Sequence, residues 1–272
     1  MSRPIAIQIY SLRTDAERDL AQTLKTVKEQ GYDGLELAGF YGKTAKEFAK
    51  EIARSGLEPV SAHVGLYDMR SDINKVISDY KEIGCRHIAV PWLPEEDRPG
   101  TPGWANAVKD ISACAEKLTE NGFTVSYHNH DFEFKTDENG DYALDVLYSS
   151  IPAELLKVEL DTCWARVGGV DPAEYLLKYS GRCPLVHLKD YVGGRTENMY
   201  GLIGVDGAEN KAAETRFEYR SVGAGVQDFK KICAAAEKAG AEWFIVEQDE
   251  PTPGKSRLEC SELSIRYLKS IL

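Results

Sequence analysis

Four of the five histidines in this chain stand where predicted β-strands end, and acidic residues end other strands in the same way. These residues are His63, His128, His130 and His187, together with Glu36, Asp161 and Glu247. A barrel of parallel strands brings the last residues of all its strands to one rim. Imidazoles and carboxylates on one rim are the ligands that a divalent metal needs to be held against a polar small molecule.

The densest group of polar residues is the run from Tyr127 to Phe134, which contains His128, His130 and Glu133. Side chains alternate along a strand, so His128 and His130 point the same way. Ionisable groups are costly inside a barrel unless they serve a site or are hydrogen-bonded. One of the two histidines can therefore be a hydrogen-bonded wall residue and the other a metal ligand.

Three further strand ends carry ionisable groups. Asp161 ends one strand and either binds a metal or caps the following turn. His187 and Lys189 share a face of the next, where Lys189 either carries a proton or pairs with a carboxylate. Glu247 follows an apolar run, so it needs a cation or a hydrogen-bond donor. Asp249, just beyond it, fits an exposed acidic loop.

Several other residues are predicted to contact a substrate. Glu36 and His63 end the second and third strands, and Glu133 lies beside the histidine run. Trp92 and Trp164 stand near strand ends, where aromatic rings stack on the apolar faces of sugars or simply pack. His87 begins its strand and is predicted to lie at the opposite end of the barrel.

Short apolar strands alternate with helical patterns along the whole chain. The predicted strands are Ile5–Tyr10, Gly34–Leu37, Pro59–Val64, His87–Trp92, Phe123–Asn129, Leu156–Leu160, Leu185–Lys189 and Trp243–Glu247. The predicted helices are Asp15–Glu29, Thr44–Ser55, Ser71–Ile83, Trp104–Glu120, Leu144–Ser150, one starting at Asp171-Pro172, Asp228–Ala239 and Ser261–Ile271. Eight such units in 272 residues predict an α/β fold, a single (β/α)8 TIM barrel that spans residues 1–272 as one domain.

Two segments interrupt this alternation. Phe132–Tyr142 contains an Asn139-Gly140 turn and is predicted to be a hairpin, and Tyr191–Val222 is predicted to be a long functional loop. Both follow strand carboxyl ends, so both should lie over the active-site face.

Bulk composition excludes several classes of protein. The net charge of -11 argues against a nucleic-acid partner, and no run of about 20 apolar residues indicates a membrane span. The six cysteines form no Cys-x-x-Cys pair, which argues against a zinc ribbon or a disulfide framework. We expect a cytoplasmic protein.

The chain resembles the sugar phosphate isomerase/epimerase superfamily, whose members are xylose isomerase-like barrels. The resemblance covers nearly the whole length. It rests on Ile7–Arg13, Tyr32–Leu37, Ser61–His63, His128–Phe134, Leu160-Asp161 with Trp164, His187–Asp190, and Val222–Gly225 with Asp228-Phe229.

Similar members hold a Mn²⁺-type ion with Glu, Asp, His and Glu from strands five to eight. Carried over by position, the resemblance implies Asp161, His187 and Glu247 as ligands, with His128 at the first position, where ketose epimerases have glutamate. That histidine puts a symmetrical two-glutamate epimerisation in doubt. The histidine-bearing branch is similar to inosose-dehydratase-like proteins and to barrel subunits of keto-glycoside-cleaving lyases.

The resulting hypothesis is a divalent-metal sugar isomerase or epimerase that removes a proton next to a carbonyl of a keto-sugar or polyol. The ion is expected to be Mn²⁺, with Mg²⁺, Co²⁺ or Zn²⁺ as alternatives. His128 or Glu247 would act as base, and His130 or Lys189 as acid. A dehydratase or lyase, or a non-catalytic sugar-binding subunit, are the alternatives, and a homo-oligomer is expected by analogy. An abasic-site endonuclease of the same superfamily fits the acidic charge poorly.

Overall fold

The computed structural model describes residues 3–195 and 217–272. Eight parallel strands close into a barrel in the order β1-β2-β3-β4-β5-β6-β7-β10, with β10 pairing back to β1. These strands are β1 (Ile5–Gln8), β2 (Gly34–Ala38), β3 (Glu58–His63), β4 (His87–Val90), β5 (Thr124–His128), β6 (Lys157–Asp161), β7 (Leu185–Leu188) and β10 (Trp243–Val246). The predicted TIM-barrel fold is confirmed.

Helices connect the strands and pack on the outside of the barrel. They are α1 (Arg13–Arg18), α2 (Leu20–Gln30), α3 (Ala45–Ser55), α4 (Leu66–Ile83), α5 (Trp104–Glu120), α6 (Ala143–Ser150), α7 (Thr162–Val167), α8 (Pro172–Lys178), α9 (Phe229–Ala239) and α10 (Arg257–Ile271). Four of them end at glycines in the left-handed conformation: Gly31, Gly56, Gly84 and Gly240. Among the described residues, no helix is both long and apolar enough to cross a membrane.

The structure corrects several local predictions, of which three lie near the barrel rim or change an element. The first strand ends at Gln8, because Ile9–Leu12 forms a 3-10 helix whose first turn is capped by the Gln8 side chain. The predicted hairpin at Phe132–Tyr142 is instead a 3-10 helix, Phe132–Phe134, followed by one antiparallel bridge between Thr136 and Tyr142. The predicted helix at Ser71 begins earlier, at Leu66, with a kink at Asp72.

The long connection after β7 contains a small antiparallel sheet. Its strands are β8 (Asp190–Val192) and β9 (Glu218–Arg220), and they pair with Tyr191 opposite Tyr219. Part of the predicted Tyr191–Val222 loop, residues 196–216, lies outside the described residues. The described ends of this connection form regular structure beside the barrel rim rather than loop.

Asp190 holds the segment that leads from β9 into α9. Its Oδ2 accepts hydrogen bonds from the backbone N–H groups of Gly223 and Gly225, at 3.0 and 2.8 Å. A Cβ at position 225 would lie 2.3 Å from both Asp190 Oδ1 and the carbonyl oxygen of Tyr191. Glycine is therefore required there so that the backbone can approach the carboxylate, which accounts for the Val222–Gly225 motif.

Small apolar side chains close the barrel interior below the rim. Ala6, Val60, Leu185 and Ile245 form a separate buried cluster, against which Trp243 packs. Leu185 and Ile245 lie two residues before His187 and Glu247 on their strands, so they line the same interior one layer lower. This apolar layer therefore lies directly beneath the polar residues of the rim.

Replacing Gly225 with alanine should lower the free energy of unfolding by about 1–3 kcal/mol, the usual cost of forcing atoms into a packed region. The added methyl group must push apart Asp190 and the Tyr191 backbone. Urea denaturation measures the change. Gly194→Ala is the control, because a Cβ at Gly194 has no atom of residues 3–195 or 217–272 within 4 Å. Equal stability of the two variants would contradict the assigned role of Gly225.

Candidate metal centre

Four side chains from four strand ends converge at the carboxyl end of the barrel. His128 and Asp161 are the last residues of β5 and β6, His187 is the third residue of β7, and Glu247 follows β10. All four are buried, and one nitrogen or oxygen of each lies within 4.8 Å of the others. The structure thus brings together the four residues that the sequence analysis predicted as metal ligands.

One pair of atoms within this cluster is hydrogen-bonded, and another is more widely spaced. His187 Nδ1 lies 3.1 Å from Glu247 Oε2, and His128 Nε2 lies 3.9 Å from Asp161 Oδ2. Asp161 also performs the alternative role predicted for it, since its Oδ1 accepts a hydrogen bond from Trp164 N and caps α7. Its Oδ2 remains directed toward the cluster.

A second layer of ionisable groups lies on the other side of the two imidazoles. Glu159, Glu36 and His63 belong to it, and the two carboxylates are fully buried. Glu36 Oε2 lies 2.6 Å from His187 Nε2 and accepts a hydrogen bond from Gln8 Nε2. Glu159 Oε1 lies 2.7 Å from His63 Nε2. Glu36 thus contacts a predicted metal ligand, whereas the sequence analysis expected it to contact substrate.

The two ligand histidines differ in charge. Burial, reinforced by the positive charge of His187, lowers the pKa of His128 to about 3, so this imidazole is neutral at pH 7. Burial alone would also lower the pKa of His187, but the carboxylates of Glu36, Glu247 and Glu159 outweigh it and raise that pKa. A metal ligand must be a neutral imidazole, so His128 is ready to bind and His187 must release a proton.

Lys189 lies at the edge of the cluster and is buried. Its Nζ is 2.8 Å from Glu247 Oε2, 2.9 Å from Asp249 Oδ2 and 3.4 Å from Asp161 Oδ2. Burial alone would lower the pKa of Lys189, but the carboxylates of Asp249, Glu247 and Asp161 outweigh burial and raise that pKa above its usual value. The predicted pairing with carboxylates is therefore present. Asp249 is only 4% exposed, so its assignment to a surface loop was wrong, because it pairs with this buried ammonium group.

Aromatic rings form a wall beside the cluster. His130 packs edge-on against Trp92 with ring centroids 4.7 Å apart, and lies 5.2 Å from the ring of Trp164. Phe132 stacks on His130 at 5.7 Å. Burial lowers the pKa of His130 well below its usual range. His130 is accordingly a neutral wall residue next to the ligands, and His87 begins β4 at the opposite end, as predicted.

Glu133 lies behind this wall and is fully buried. Its two carboxylate oxygens accept hydrogen bonds from Tyr127 Oη, at 2.6 Å, and from the backbone N–H of His130, at 2.8 Å. It therefore holds the His130 backbone in place. Neither Glu133 nor Glu36 has solvent-exposed surface, so their predicted contacts with substrate remain predictions.

Three buried polar residues that support the cluster were not among the predicted site residues. They are Gln8, Asn129 and Glu159. Asn129 Oδ1 accepts a hydrogen bond from Asp161 N at 2.9 Å and so fixes the end of β6. Glu159 lies two residues before Asp161 on the same strand face, and this spacing was the signal in the sequence that would have identified it.

The donor set fits a divalent cation. Two imidazole nitrogens and two carboxylate oxygens suit ions such as Mn²⁺, Co²⁺ and Zn²⁺. Glu36, Glu159 and Asp249 add further negative charge close by, and the positive charge comes from Lys189 and the protonated imidazoles. A divalent cation would reduce the repulsion among these carboxylates.

The chain belongs to the xylose isomerase-like TIM barrel family, whose model matches residues 24–271. It is 25% identical to the inosose dehydratase of Geobacillus kaustophilus over 84% of this chain and 80% of that protein. It is 24% identical to the rhizopine catabolism protein MocC of Rhizobium meliloti, over 94% of this chain and 84% of that one.

A sugar phosphate isomerase/epimerase from Parabacteroides distasonis has a similar structure, with a TM-score of 0.78. The two proteins are 22% identical, and the match covers 99% of this chain and 94% of the other. At this identity the likeness supports the fold. The family relationship and the fold thus confirm the superfamily that the sequence motifs indicated.

The free energy of unfolding should depend on pH through Glu133, and a single substitution can isolate this dependence from that of the other groups. Burial raises the pKa of Glu133 from 4.5 to about 8, so the folded protein keeps a proton that the unfolded chain loses above pH 4.5. The stabilisation is complete below that pH and falls by about 1.4 kcal/mol per pH unit toward pH 8. Glu133→Gln should remove this slope. Urea denaturation of the metal-free protein from pH 5 to pH 8 measures it.

The difference in unfolding free energy between wild type and Glu133→Gln should change by about 3–4 kcal/mol over that range. Glu154→Gln, at an exposed carboxylate, is the control and should run parallel to wild type. Parallel profiles for wild type and Glu133→Gln would show that Glu133 is already ionised at pH 5.

Proposed function

We propose that this protein is a divalent-metal-dependent enzyme that removes a proton next to the carbonyl of a keto-sugar, a keto-inositol or a related polyol. The observation that carries the proposal is the convergence of His128, Asp161, His187 and Glu247 at the carboxyl end of the barrel. Active sites of this fold lie at that end. The aromatic wall beside the ligands suits the apolar face of a sugar ring.

His128, Asp161, His187 and Glu247 would hold the ion. When bound, a divalent ion supplies Lewis-acid chemistry, polarising a carbonyl oxygen and making the neighbouring C–H bond more acidic. The burial of all four ligands keeps bulk water away, which strengthens electrostatic interactions inside the site. Trp92, which is only partly buried, would orient the substrate above the ligands, and the fully buried Trp164 would support the wall.

Glu247 is the stronger candidate for the base among the two expected from the sequence. Its Oε2 lies at the edge of the cluster, and Lys189 and His187 hold its pKa well below the usual range against the effect of burial. It is therefore ionised, as a base must be before the reaction, although the same pairing lowers its basicity. The His128 ring faces Glu159 with Nδ1 and the proposed ligand cluster with Nε2. Both of its nitrogens are therefore engaged, which leaves Glu247 as the better base.

Lys189 is the stronger candidate for the acid. Its Nζ is protonated and lies 2.8 Å from Glu247 Oε2, so it already holds a proton that an acid can donate on that side of the site. An ammonium group can also donate hydrogen bonds to a developing oxyanion. His130, whose pKa is lowered, is neutral and suits a base or a hydrogen-bonding wall better than an acid.

Elimination of water or of another β-leaving group is the outcome that the site favours. An epimerase that moves a proton between two faces of a sugar needs a proton acceptor on each face, whereas the first ligand position here is the neutral His128. The relatives named inosose dehydratase act as dehydratases, according to their names, and they cover most of this chain. We therefore propose a dehydratase or lyase.

Isomerisation or epimerisation is the second candidate, since both outcomes begin with the same deprotonation. Neutral His130, whose ring lies 5.4 Å from that of His128, would be the second proton carrier in that case. The substrate would be a small carbohydrate in either case, and no described surface feature calls for a nucleic-acid partner.

Metal uptake tests the ligand assignment. Isothermal titration with Mn²⁺ should show one site in the wild-type protein, and His187→Ala should abolish it because a nitrogen ligand is lost. His87→Ala is the matched control, since His87 begins β4 at the opposite end of the barrel. A wild-type protein without Mn²⁺ uptake, or equal uptake by both variants, would remove the proposed site and favour a non-catalytic sugar-binding subunit.

Proton exchange tests the chemistry. With Mn²⁺ in D₂O, the protein should incorporate deuterium next to the carbonyl of at least one compound in a panel of keto-inositols and ketoses. NMR and mass spectrometry then distinguish the outcomes, because elimination of water lowers the mass by one water and epimerisation keeps the formula. Glu247→Gln should lower the exchange rate by about 100-fold or more. Absence of exchange with every compound would contradict proton abstraction.

A further inference from the structure

One buried carboxylate, that of Glu159, faces three imidazoles at once. Its Oε1 lies 2.7 Å from His63 Nε2, 3.1 Å from His187 Nε2 and 3.3 Å from His128 Nδ1. Glu159 has no solvent-exposed surface, and the three rings surround it at centroid separations of 4.5–5.2 Å. No element of the proposed reaction uses this residue.

We propose that Glu159 is a positioning residue that fixes which nitrogen of His128 and of His187 is presented to the metal. The inference rests on the proposed metal site and extends it to the layer beneath. Nδ1 of His128 and Nε2 of His187 both face Glu159, so each carries a proton there. Nε2 of His128 and Nδ1 of His187 then remain as lone-pair donors on the side of Asp161 and Glu247.

Distances favour this role over that of a second metal site. Around Glu159 and Glu36, the contacts to His63 and His187 include separations of 2.6 and 2.7 Å, the lengths of charge-assisted hydrogen bonds. The separations of Glu159 from His187 and His128, 3.1 and 3.3 Å, overlap the 3.1 Å between His187 and Glu247 in the upper layer. The number of ions that the protein binds therefore decides between the two roles.

Glu159 and Glu36 do not contribute equally. Glu36 Oε2 is 2.6 Å from His187 Nε2, so His187 has a second carboxylate that can hold its proton. For His128 Nδ1, the only carboxylate contact in residues 3–195 and 217–272 is that with Glu159. Loss of the Glu159 charge should therefore release His128 while His187 stays oriented.

The test is Glu159→Gln, which keeps the side-chain size and removes a buried charge. Titration with Mn²⁺ should show the same single site with an affinity 10–100-fold weaker, the usual cost of losing such a support. Glu133→Gln is the matched control for metal affinity. Glu133 is also fully buried, but it contacts a phenol and a backbone N–H rather than an imidazole ring. Circular dichroism verifies that both variants fold.

A spectroscopic measurement reports the orientation itself. In the Zn²⁺-loaded protein, long-range ¹H–¹⁵N spectra should place a proton on Nδ1 of His128 and on Nε2 of His187. In Glu159→Gln, the His128 signals should broaden or show both attachments, and those of His187 should persist. A general loss of packing would change both rings alike.

The outcomes distinguish this inference from the proposed function. If the wild-type protein takes up no metal, the proposed function fails first. If wild type and Glu159→Gln bind Mn²⁺ equally, or keep identical imidazole signals, only the positioning role is overturned. Two ions bound by wild type and one by Glu159→Gln would overturn it too, because Glu159 would then be a ligand of a second metal.

Discussion

The burial of like charges at one end of the barrel is the constraint on which the rest of the site depends. Five carboxylates there are almost out of contact with water: those of Glu36, Glu159, Asp161, Glu247 and Asp249. Isolated buried carboxylates are strongly disfavoured and would take up protons instead. Burial does raise the pKa of Asp161, to about 6, whereas Glu159 and Glu247 stay ionised because cationic side chains face them. The positions of Lys189, His63 and His187 follow from this requirement.

The barrel satisfies the constraint by separating the charges into layers. Because side chains alternate along each strand, Glu159 and Asp161 occupy successive levels of the same interior face. The lower level contains the shortest imidazole–carboxylate contacts, at 2.6 and 2.7 Å, and the upper level contains the four residues that would hold the proposed cation. Strands fixed on both sides by backbone pairing hold such atoms more rigidly than loops do. A change in the lower level is therefore transmitted to the upper one through the imidazole rings that span both.

The sequence predicted the strand-end residues well because two simple periodicities determine them. Alternation of strands and helices implies a barrel, and the end of each strand then places its last residue on the rim, as for Asp161 and His187. The predictions failed where the answer depends on contacts between distant segments. Asp249 follows a strand in a polar run, so it resembled a surface loop, and only its proximity to Lys189 explains its burial. The 3-10 helix at Ile9–Leu12 likewise depends on a cap by Gln8 that strand propensity does not reveal.

The neutral histidine at position 128 has a consequence for both charge and chemistry. A glutamate at that position would add another negative charge to five buried carboxylates, beside Asp161 and above Glu159. A neutral imidazole instead provides a metal-binding lone pair on one side and an N–H toward Glu159 on the other. With His128 neutral, Glu247 and its neighbour Lys189 are the charged groups to which the proposal assigns proton transfer. The arrangement that makes Glu159 tolerable beneath the proposed ligands is thus also the one that fits the proposed one-sided proton removal.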